Sequence, residues 1–295
     1  MKKIGFYLVK LWTAVLSFHP FWLLYLKSDF NFLLVYHVFR YRRKVVRENL
    51  FRSFPDKDLK QIKSIERKFY HNLCDLLVEG TKMMRLESGD IQNRVVFANP
   101  ELIAQLYEQQ RSLIYVCPHS GNWEWFLKLM TNLSQHKSLS VYKKVKSPVF
   151  DQLVYFLRTK GCDIEMVETS STLKRLEGLS GTRNAVLMVA DQTPRGVDTD
   201  YWTEFLHQDT CWYTGLDRIA RRFDYAVVFV AMKRTGRGRY EVAFELITDH
   251  PKETEEDFII EQYVRCVERF IIGQPDNWLW SHRRWKHQRP RKEKA

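Results

Sequence analysis

The chain is organised around residues 113–124, which read Leu113-Ile114-Tyr115-Val116-Cys117-Pro118-His119-Ser120-Gly121-Asn122-Trp123-Glu124. The apolar run 113–117 is short and partly β-branched or aromatic, as in a buried strand, and a proline and a glycine follow it. A helix-like run, 125–133, comes next. The pattern predicts a strand, a turn and a helix, with His119 at the strand tip. Glu124 would lie in the first helical turn, where unpaired backbone N–H groups favour a carboxylate.

His119 and Glu124 are the side chains of this stretch best suited to proton transfer. On a continuous helix a spacing of five places them on different faces, so they meet only if the chain bends, which Gly121 permits. A neutral imidazole accepts a proton from an alcohol near pH 7, and a carboxylate on its other nitrogen fixes the tautomer. We therefore predict that His119 is a general base oriented by Glu124. The simpler interpretation is a loop histidine beside a helix-capping glutamate, and the spacing alone favours it.

Further motifs help to decide between a general base and a loop histidine. The His-x4-Glu pattern resembles the signature of the glycerolipid and lipid A acyltransferase superfamily, and specifically its lipid A biosynthesis (lauroyl and myristoyl) branch. Other segments follow in the order typical of that branch: Val46-Arg47-Glu48-Asn49-Leu50 with Phe54-Pro55, then Asp191-Gln192, then Trp278-Leu279-Trp280-Ser281-His282-Arg283-Arg284-Trp285-Lys286. The resemblance therefore covers nearly the whole chain.

The resemblance implies a glycerolipid-acyltransferase-like fold and an O-acyltransferase of the bacterial inner membrane, with its catalytic domain on the cytoplasmic face. Its acceptor would be a phosphorylated glycolipid, a lipid A precursor. Its donor would be an acyl carrier protein or coenzyme A thioester, with no cofactor. Asn122, Arg158 and Asp191 carry over as substrate-binding or oxyanion residues. A guanidinium such as that of Arg158 could stabilise an oxyanion or hold a lipid phosphate.

One segment departs from the branch. Many members place a Phe-Phe-Gly segment where this chain has Glu204-Phe205-Leu206-His207-Gln208-Asp209-Thr210. If this region shapes a substrate pocket, the acceptor could instead be a lysophospholipid or an aminolipid. A membrane-bound lipid-binding protein without catalysis is the alternative from another functional class, and the presence of both His119 and Glu124 argues against it.

Short apolar runs alternate with helical patterns along the rest of the chain, which predicts an α/β sandwich with a largely parallel central sheet flanked by helices. Residues 1–45 are predicted to be a membrane-anchoring segment and residues 46–295 a single acyltransferase domain. An amphipathic helical region is predicted for 59–86. Further predicted strands are 139–142, 164–167, 185–190, 225–232 and 242–247, and further predicted helices are 149–159, 172–179, 213–222 and 255–272.

The N-terminal segment is strongly apolar. Residues 4–26 form a run of 23 residues broken only by Lys10, His19 and Pro20, which is long enough to cross a bilayer. Pro20 and a second apolar patch, 30–39, also allow two shorter helices lying in the membrane interface. We predict anchoring rather than a cleaved signal peptide, because no small-residue cleavage site follows the run. Spanning and interfacial arrangements both remain open.

Positive charge accompanies both ends of the chain, whose formal net charge is +12. A basic cluster directly follows the apolar segment, and by the positive-inside rule this flank faces the cytoplasm. The C-terminal string interleaves tryptophans with basic residues, a combination suited to lipid headgroups. It also suits RNA, but a basic, anchored enzyme already accounts for the charge, so we expect no nucleic acid partner. The predicted contacts to membrane or lipid phosphate are Arg42, Arg43, Lys44, Arg283, Arg284 and Lys286.

The five cysteines are odd in number and lack Cys-x2-Cys spacing, so neither a disulfide framework nor a zinc site is indicated. This predicts a reduced, cytosolic catalytic domain. Cys117 and Ser120 flank His119 and could be considered as acylated nucleophiles. We interpret them as packing and turn residues, because a base mechanism lets the acceptor hydroxyl attack directly. His119 and Glu124 alone would make a poor metal site.

Overall fold

The computed structural model describes residues 2–194 and 201–289, with side chains from residue 4 onward. Within these residues a seven-stranded sheet forms the centre, in the order β1-β9-β8-β2-β5-β3-β4. All neighbours in this sheet pair in parallel except β8 and β9. The strands are β1 Val95–Phe97, β2 Leu113–Cys117, β3 Lys137–Tyr142, β4 Ile164–Glu168, β5 Asn184–Val189, β8 Ala226–Gly236 and β9 Arg239–Thr248.

Helices cover both faces of the sheet, which gives the mixed α/β architecture predicted from the sequence. The helices are α1 Lys2–Phe18, α2 Phe21–Phe32, α3 Arg43–Ser53, α4 Leu59–Lys82, α5 Ser88–Gln92, α6 Glu101–Glu108, α7 Trp123–Leu129, α8 Pro148–Thr159, α9 Thr172–Glu177, α10 Gly215–Phe223 and α11 Phe258–Gly273. The predicted strand 113–117 and the predicted helix 149–159 match β2 and α8 to within one residue.

The central strand β2 shows why both faces must be covered. Its five side chains are buried and alternate between two hydrophobic clusters. Ile114 and Val116 pack in the cluster that contains α11, whereas Tyr115 packs in the cluster that contains α7. Such a continuous apolar run is typical of a parallel strand buried between two helical layers.

The helix α4 is the longest in the described chain. Its first turn is fixed by a capping box, in which the Asp58 carboxylate accepts from the Gln61 N–H at 2.8 Å and the Gln61 side chain accepts from the Asp58 N–H at 2.9 Å. At 24 residues it extends roughly 36 Å. It therefore reaches from the basic helix α3 to the N-terminal helices.

The apolar N-terminal run is divided between two helices. They meet at His19 and Pro20, since proline has no N–H for the helix and restricts the residue before it. In the described residues no single helix is long and apolar enough to cross a membrane. The segments Ile4–Phe18 and Phe21–Val38 satisfy that test only as a pair, and they are bent by 119° relative to each other.

Two features of the β structure were not predicted, and neither were the short helices α5 and α6. Strand β1 has only three residues and is identified by its pairing with residues 240–242, far along the chain. A separate hairpin joins β6 Tyr201–Phe205 to β7 Gln208–Trp212. Its turn residues Leu206 and His207 have φ of 50° and 61°, a conformation usually given to glycine or asparagine, so the sequence carried no hairpin signal. This hairpin contains residues 204–210, the segment predicted to depart from the acyltransferase branch.

Candidate active site

His119 and Asp191 are brought together by strand register. Strands β2 and β5 are parallel neighbours in which Cys117 pairs with Val189, and each site residue follows its strand end by two positions. The carboxyl ends of adjacent parallel strands lie at the same edge of a sheet, which is where α/β proteins commonly bind ligands. His119 Nδ1 lies 2.5 Å from Asp191 Oδ1 although the residues are 72 positions apart.

The Asp191 carboxylate is buried and accepts two more hydrogen bonds. Its Oδ2 atom accepts from the His119 backbone N–H at 2.9 Å and from the Trp278 indole N–H at 2.7 Å. Burial alone would disfavour the charge, but the electrostatic attraction of His119 and these hydrogen bonds outweigh it and lower the pKa of Asp191. An ionised carboxylate only accepts, so in the neutral imidazole Nδ1 carries the proton and Nε2 presents a lone pair.

The predicted contact between Glu124 and His119 is wrong, since Asp191 occupies the imidazole Nδ1. Glu124 lies in the first turn of α7, as predicted, but forms a bidentate ion pair with Arg158 of α8 at 2.6 and 2.8 Å. The Trp123 indole N–H also donates to it at 3.1 Å. Burial opposes ionisation, but Arg158 and Trp123 outweigh it and lower the pKa of Glu124. The α7 helix therefore directs this carboxylate towards α8.

The turn between His119 and α7 depends on Gly121 and Asn122. Gly121 has φ of +58°, and a Cβ atom there would lie 2.5 Å from the Met232 carbonyl oxygen, so the bend predicted at this glycine is present. Asn122 is fully buried. Its Oδ1 atom caps α7 by accepting from the Trp125 N–H at 3.1 Å, and its Nδ2 donates to Glu79 at 2.8 Å. The predicted substrate contact of Asn122 is thus replaced by a capping role.

The two candidate nucleophiles beside His119 are poorly placed for acylation. Burial, followed by the nearby charge of Asp191, raises the pKa of the Cys117 thiol, which disfavours the reactive thiolate. The Ser120 side chain is 2% exposed. Both observations support our interpretation of these residues as packing and turn residues.

The C-terminal segment, residues 278–286, packs against the turn that follows β2. Ser120 and Trp278 form an antiparallel bridge, and the Leu279 N–H donates to the His119 carbonyl oxygen at 3.1 Å. Farther on, the Thr193 N–H donates to His282 Nε2 at 3.1 Å, which ties the loop after Asp191 to the same segment. This segment therefore supports both ends of the contact between His119 and Asp191.

A narrow groove opens beside His119. Phe69, Leu73 and Leu76 of α4 supply apolar lining, together with Trp123 and Leu279. His119 retains 18% side-chain exposure, and its Nε2 atom lies 3.2 Å from the side-chain nitrogen of Gln192, an exposed residue. The Nε2 edge of the imidazole therefore faces an exposed side chain, that of Gln192.

A family model of bacterial lipid A biosynthesis acyltransferases matches residues 1–287. The chain belongs to this family. The match supports acyltransferase activity and covers both the N-terminal helices and the C-terminal segment. A search of curated proteins gave no match.

In this lipid A acyltransferase family member, the aromatic and basic C-terminal string is largely internal. Trp278, Trp280 and Arg284 are at most 2% exposed, so the predicted contact of Arg284 with membrane or lipid phosphate is wrong. Its guanidinium lies over the Trp212 ring and donates to the Cys211 carbonyl oxygen at 2.7 Å. Arg283 and Lys286 remain exposed, so their predicted contacts stay open.

The N-terminal basic cluster of this acyltransferase is divided between ion pairing and exposure. Arg43 and Arg47 both contact the buried carboxylate of Glu66, which offsets part of their charge. Arg42 is exposed, although it donates to the Ser281 carbonyl oxygen at 2.9 Å. The side chain of Lys44 is 90% exposed. Of these four basic residues, Arg42 and Lys44 are therefore the more exposed.

Asp191 was predicted as a site residue, but its contact with His119 was not predicted. The hydrogen bond from Trp278 to the same carboxylate was not predicted either. A signal for the first was present, because His119 and Asp191 each follow an apolar strand by two residues. Trp278 had no comparable local signal.

Proposed function

We propose that the protein transfers a fatty acyl chain from an acyl carrier protein thioester to a hydroxyl of a lipid A precursor, with His119 as general base and Asp191 as its orienting carboxylate. The contact between His119 Nδ1 and Asp191 carries this proposal, because in the neutral imidazole it leaves the Nε2 lone pair to accept a proton from the substrate. Membership of the lipid A acyltransferase family supports the choice of reaction and acceptor.

In the proposed reaction His119 Nε2 takes the proton of the acceptor hydroxyl, and Gln192 gives up its place beside that nitrogen. The hydroxyl oxygen then attacks the thioester carbonyl carbon, a C–O bond forms and the C–S bond breaks. The imidazolium returns its proton to the leaving thiolate. Asp191 stabilises the transient positive charge on the imidazole. The poor placement of Cys117 and Ser120 supports direct transfer over an acyl-enzyme intermediate.

Membrane association is part of the proposal, and the surface of α1 supports it. Apolar side chains recur at helical spacing on its exposed face: Ile4, Tyr7, Leu8, Leu11, Trp12, Val15 and Phe18, with exposures of 48–67%. A large exposed apolar surface is typical of a membrane or protein contact. Elsewhere on the surface, the exposed basic residues Arg42 and Lys44 favour an anionic lipid, where each charge contributes about 1 kcal/mol.

The test is an acyl-transfer assay on the purified protein. Acyl carrier protein and coenzyme A thioesters are offered with a lipid A precursor or a lysophospholipid. The variants are His119→Ala and, as a control, His250→Ala, which alters an exposed histidine. We expect transfer to the lipid A precursor, a loss in His119→Ala of about 10²–10⁴-fold, and wild-type rates in the control.

The other outcomes are equally informative. Full activity in His119→Ala would overturn the assignment of the base. Transfer only to the lysophospholipid would retain the chemistry, change the acceptor and direct attention to the β6–β7 hairpin. No transfer with any pair would favour a lipid-binding protein without catalysis.

A further inference from the structure

A buried carboxyl group on α4 joins four separate parts of the chain. Glu79 is fully buried, and its Oε2 atom accepts from Asn122 Nδ2 at 2.8 Å and from the Tyr240 hydroxyl at 2.7 Å. Its Oε1 atom accepts from the Tyr25 hydroxyl at 3.1 Å. Tyr25 belongs to α2, Tyr240 to β9 and Asn122 to the turn that follows His119. The N-terminal helices and the active-site turn therefore share one hydrogen-bond acceptor.

The contact with Glu79 fixes the orientation of the Asn122 amide. Nδ2 points towards Glu79 while Oδ1 accepts from the Trp125 N–H, so both ends of the amide are engaged. Asn122 lies three residues after His119, and Gly121 between them takes the left-handed conformation. A buried donor left without a partner is unfavourable. Loss of Glu79 would therefore favour a rearrangement of the Asn122 side chain and of the turn.

A second connection reaches the preceding residue of the turn. The Gly121 N–H donates to Asn277 Oδ1 at 3.1 Å. The neighbouring Asp276 accepts from Asn72 Nδ2 of α4 at 2.8 Å. This connection also passes through α4, so two consecutive residues of the turn depend on the placement of that helix.

The helix α2 is held against α4 by charge as well as by Tyr25. The Ser28 hydroxyl donates to the buried Asp75 carboxylate of α4 at 2.6 Å. Arg234 contacts both Asp75, at 2.5 Å, and Asn72. Arg237 bridges Asp75 and Asp29 of α2. These contacts hold the Tyr25 hydroxyl within hydrogen-bonding distance of Glu79.

We propose that Glu79 is a positioning residue for the active-site turn and that α2 contributes to this positioning through Tyr25. The inference rests on the proposed function for its catalytic consequence. On this view the N-terminal helices are part of the active-site architecture in addition to any role at a membrane. Displacement of a reacting group by about 1 Å can lower a rate by about 10²-fold, so a small shift of the turn would be measurable.

The test compares Glu79→Leu, Glu79→Gln and Tyr25→Phe in the full-length protein. Glutamine keeps an oxygen for Asn122 and Tyr240, so we expect Glu79→Gln to retain nearly wild-type kcat. We expect Glu79→Leu to lower kcat by roughly 10²-fold with little change in KM. Tyr25→Phe keeps two of the three donors, and we expect a decrease of about three- to ten-fold, as for one neutral hydrogen bond.

The matched control is Tyr70→Phe. Tyr70 lies on α4, is fully buried and donates its hydroxyl hydrogen to the Tyr41 carbonyl oxygen, so it also holds the N-terminal segment, but without Glu79. We expect this variant to keep the wild-type kcat. A decrease of kcat equal to that of Tyr25→Phe would overturn the inference, since the effect would then be one of general stability.

A second measurement does not depend on substrate. Amide hydrogen exchange in a peptide covering residues 118–126 should be faster in Tyr25→Phe and Glu79→Leu than in the wild type, and unchanged in Tyr70→Phe. Wild-type exchange and kcat in folded Tyr25→Phe and Glu79→Leu proteins would overturn the inference. If the wild type transfers no acyl group, the proposed function fails, while the exchange rates still support or overturn the role of Glu79.

Discussion

Two carboxylates flank the turn that follows β2, and they occupy different environments. Asp191 has a side chain that is 2% exposed, and it accepts from the imidazole and the backbone of His119. Glu124 has a side chain that is 21% exposed, and it forms an ion pair with Arg158. Closeness in sequence therefore does not identify the partner of a catalytic base. Strand register placed the distant carboxylate on the imidazole, and the direction of α7 placed the near one on another helix.

The largest difference between the two should appear when the Asp191 charge is removed. Asp191→Asn can present an amide N–H to His119 Nδ1, which would move the imidazole proton to Nε2 and abolish the base. We expect kcat to fall by about 10²–10⁴-fold. The assay is acyl transfer at saturating substrate, with Asp163→Asn, an exposed site, as the control. Activity within three-fold of the wild type would remove Asp191 from the proposed mechanism.

Glu124 and Arg158 should behave as a structural pair. Each single substitution, Glu124→Gln or Arg158→Met, leaves a largely buried partner unpaired, and because both side chains are about one fifth exposed we expect losses of about 1–3 kcal/mol. The double variant should lose less than the sum of the two. Urea unfolding gives the free energies. We expect kcat to fall by about ten-fold or less in each single variant, much less than in Asp191→Asn.

One result would reverse this ranking of the carboxylates. If Glu124→Gln unfolded at the wild-type urea concentration but lost activity as completely as Asp191→Asn, Glu124 would take part directly in the reaction. Its contact with Arg158 would then change when substrate binds.

The smallest effect at neutral pH concerns His282, on the Asp191 side of the turn. Burial lowers its pKa from 6.5 to about 4. The unfolded chain therefore binds the proton first, and this histidine stabilises the fold above pH 6.5 but loses that contribution as the pH falls towards 4. In His282→Gln the free energy of unfolding should fall less between pH 6.5 and 4.5 than it does in the wild type. At pH 7.5 the free energies of unfolding of the two proteins should differ little.

Urea unfolding across this pH range tests the prediction. The control is His250→Gln, which replaces an exposed histidine. An identical pH dependence in the wild type and in His282→Gln would mean that His282 binds its proton as readily in the folded protein as in the unfolded chain.

The N-terminal helices with their basic flank and the C-terminal segment 278–286 show what composition can and cannot predict about exposure. Both were predicted to meet lipid headgroups. In the structure Trp12 of α1 is 65% exposed, whereas Trp278 is buried against the active-site turn and Trp280 is buried against Phe54. Composition does not distinguish an exposed tryptophan from a buried one. Burial depends on which segments pack against it, and for the C-terminal segment these include α3, β7, the turn after β2 and the loop after β5.

Local patterns were sufficient to predict β2, the glycine turn and the start of α7, because an apolar run, Gly121 and a carboxylate in the first helical turn act over a few residues. The same locality explains the correct prediction of a mostly parallel α/β sheet. It also explains the missed β1 and β6–β7 hairpin, since a three-residue strand and a turn of Leu206 and His207 have no distinctive local pattern.

The sequence by itself determined the family, the position of His119 at a strand tip and the candidate carboxylates. Only the tertiary structure decided which carboxylate meets the imidazole and that Arg284 is internal. The physical reason is that these contacts join residues far apart in the chain. They exist because parallel strands pair in one register and because helices on two faces exclude water, and neither condition is encoded within a short segment.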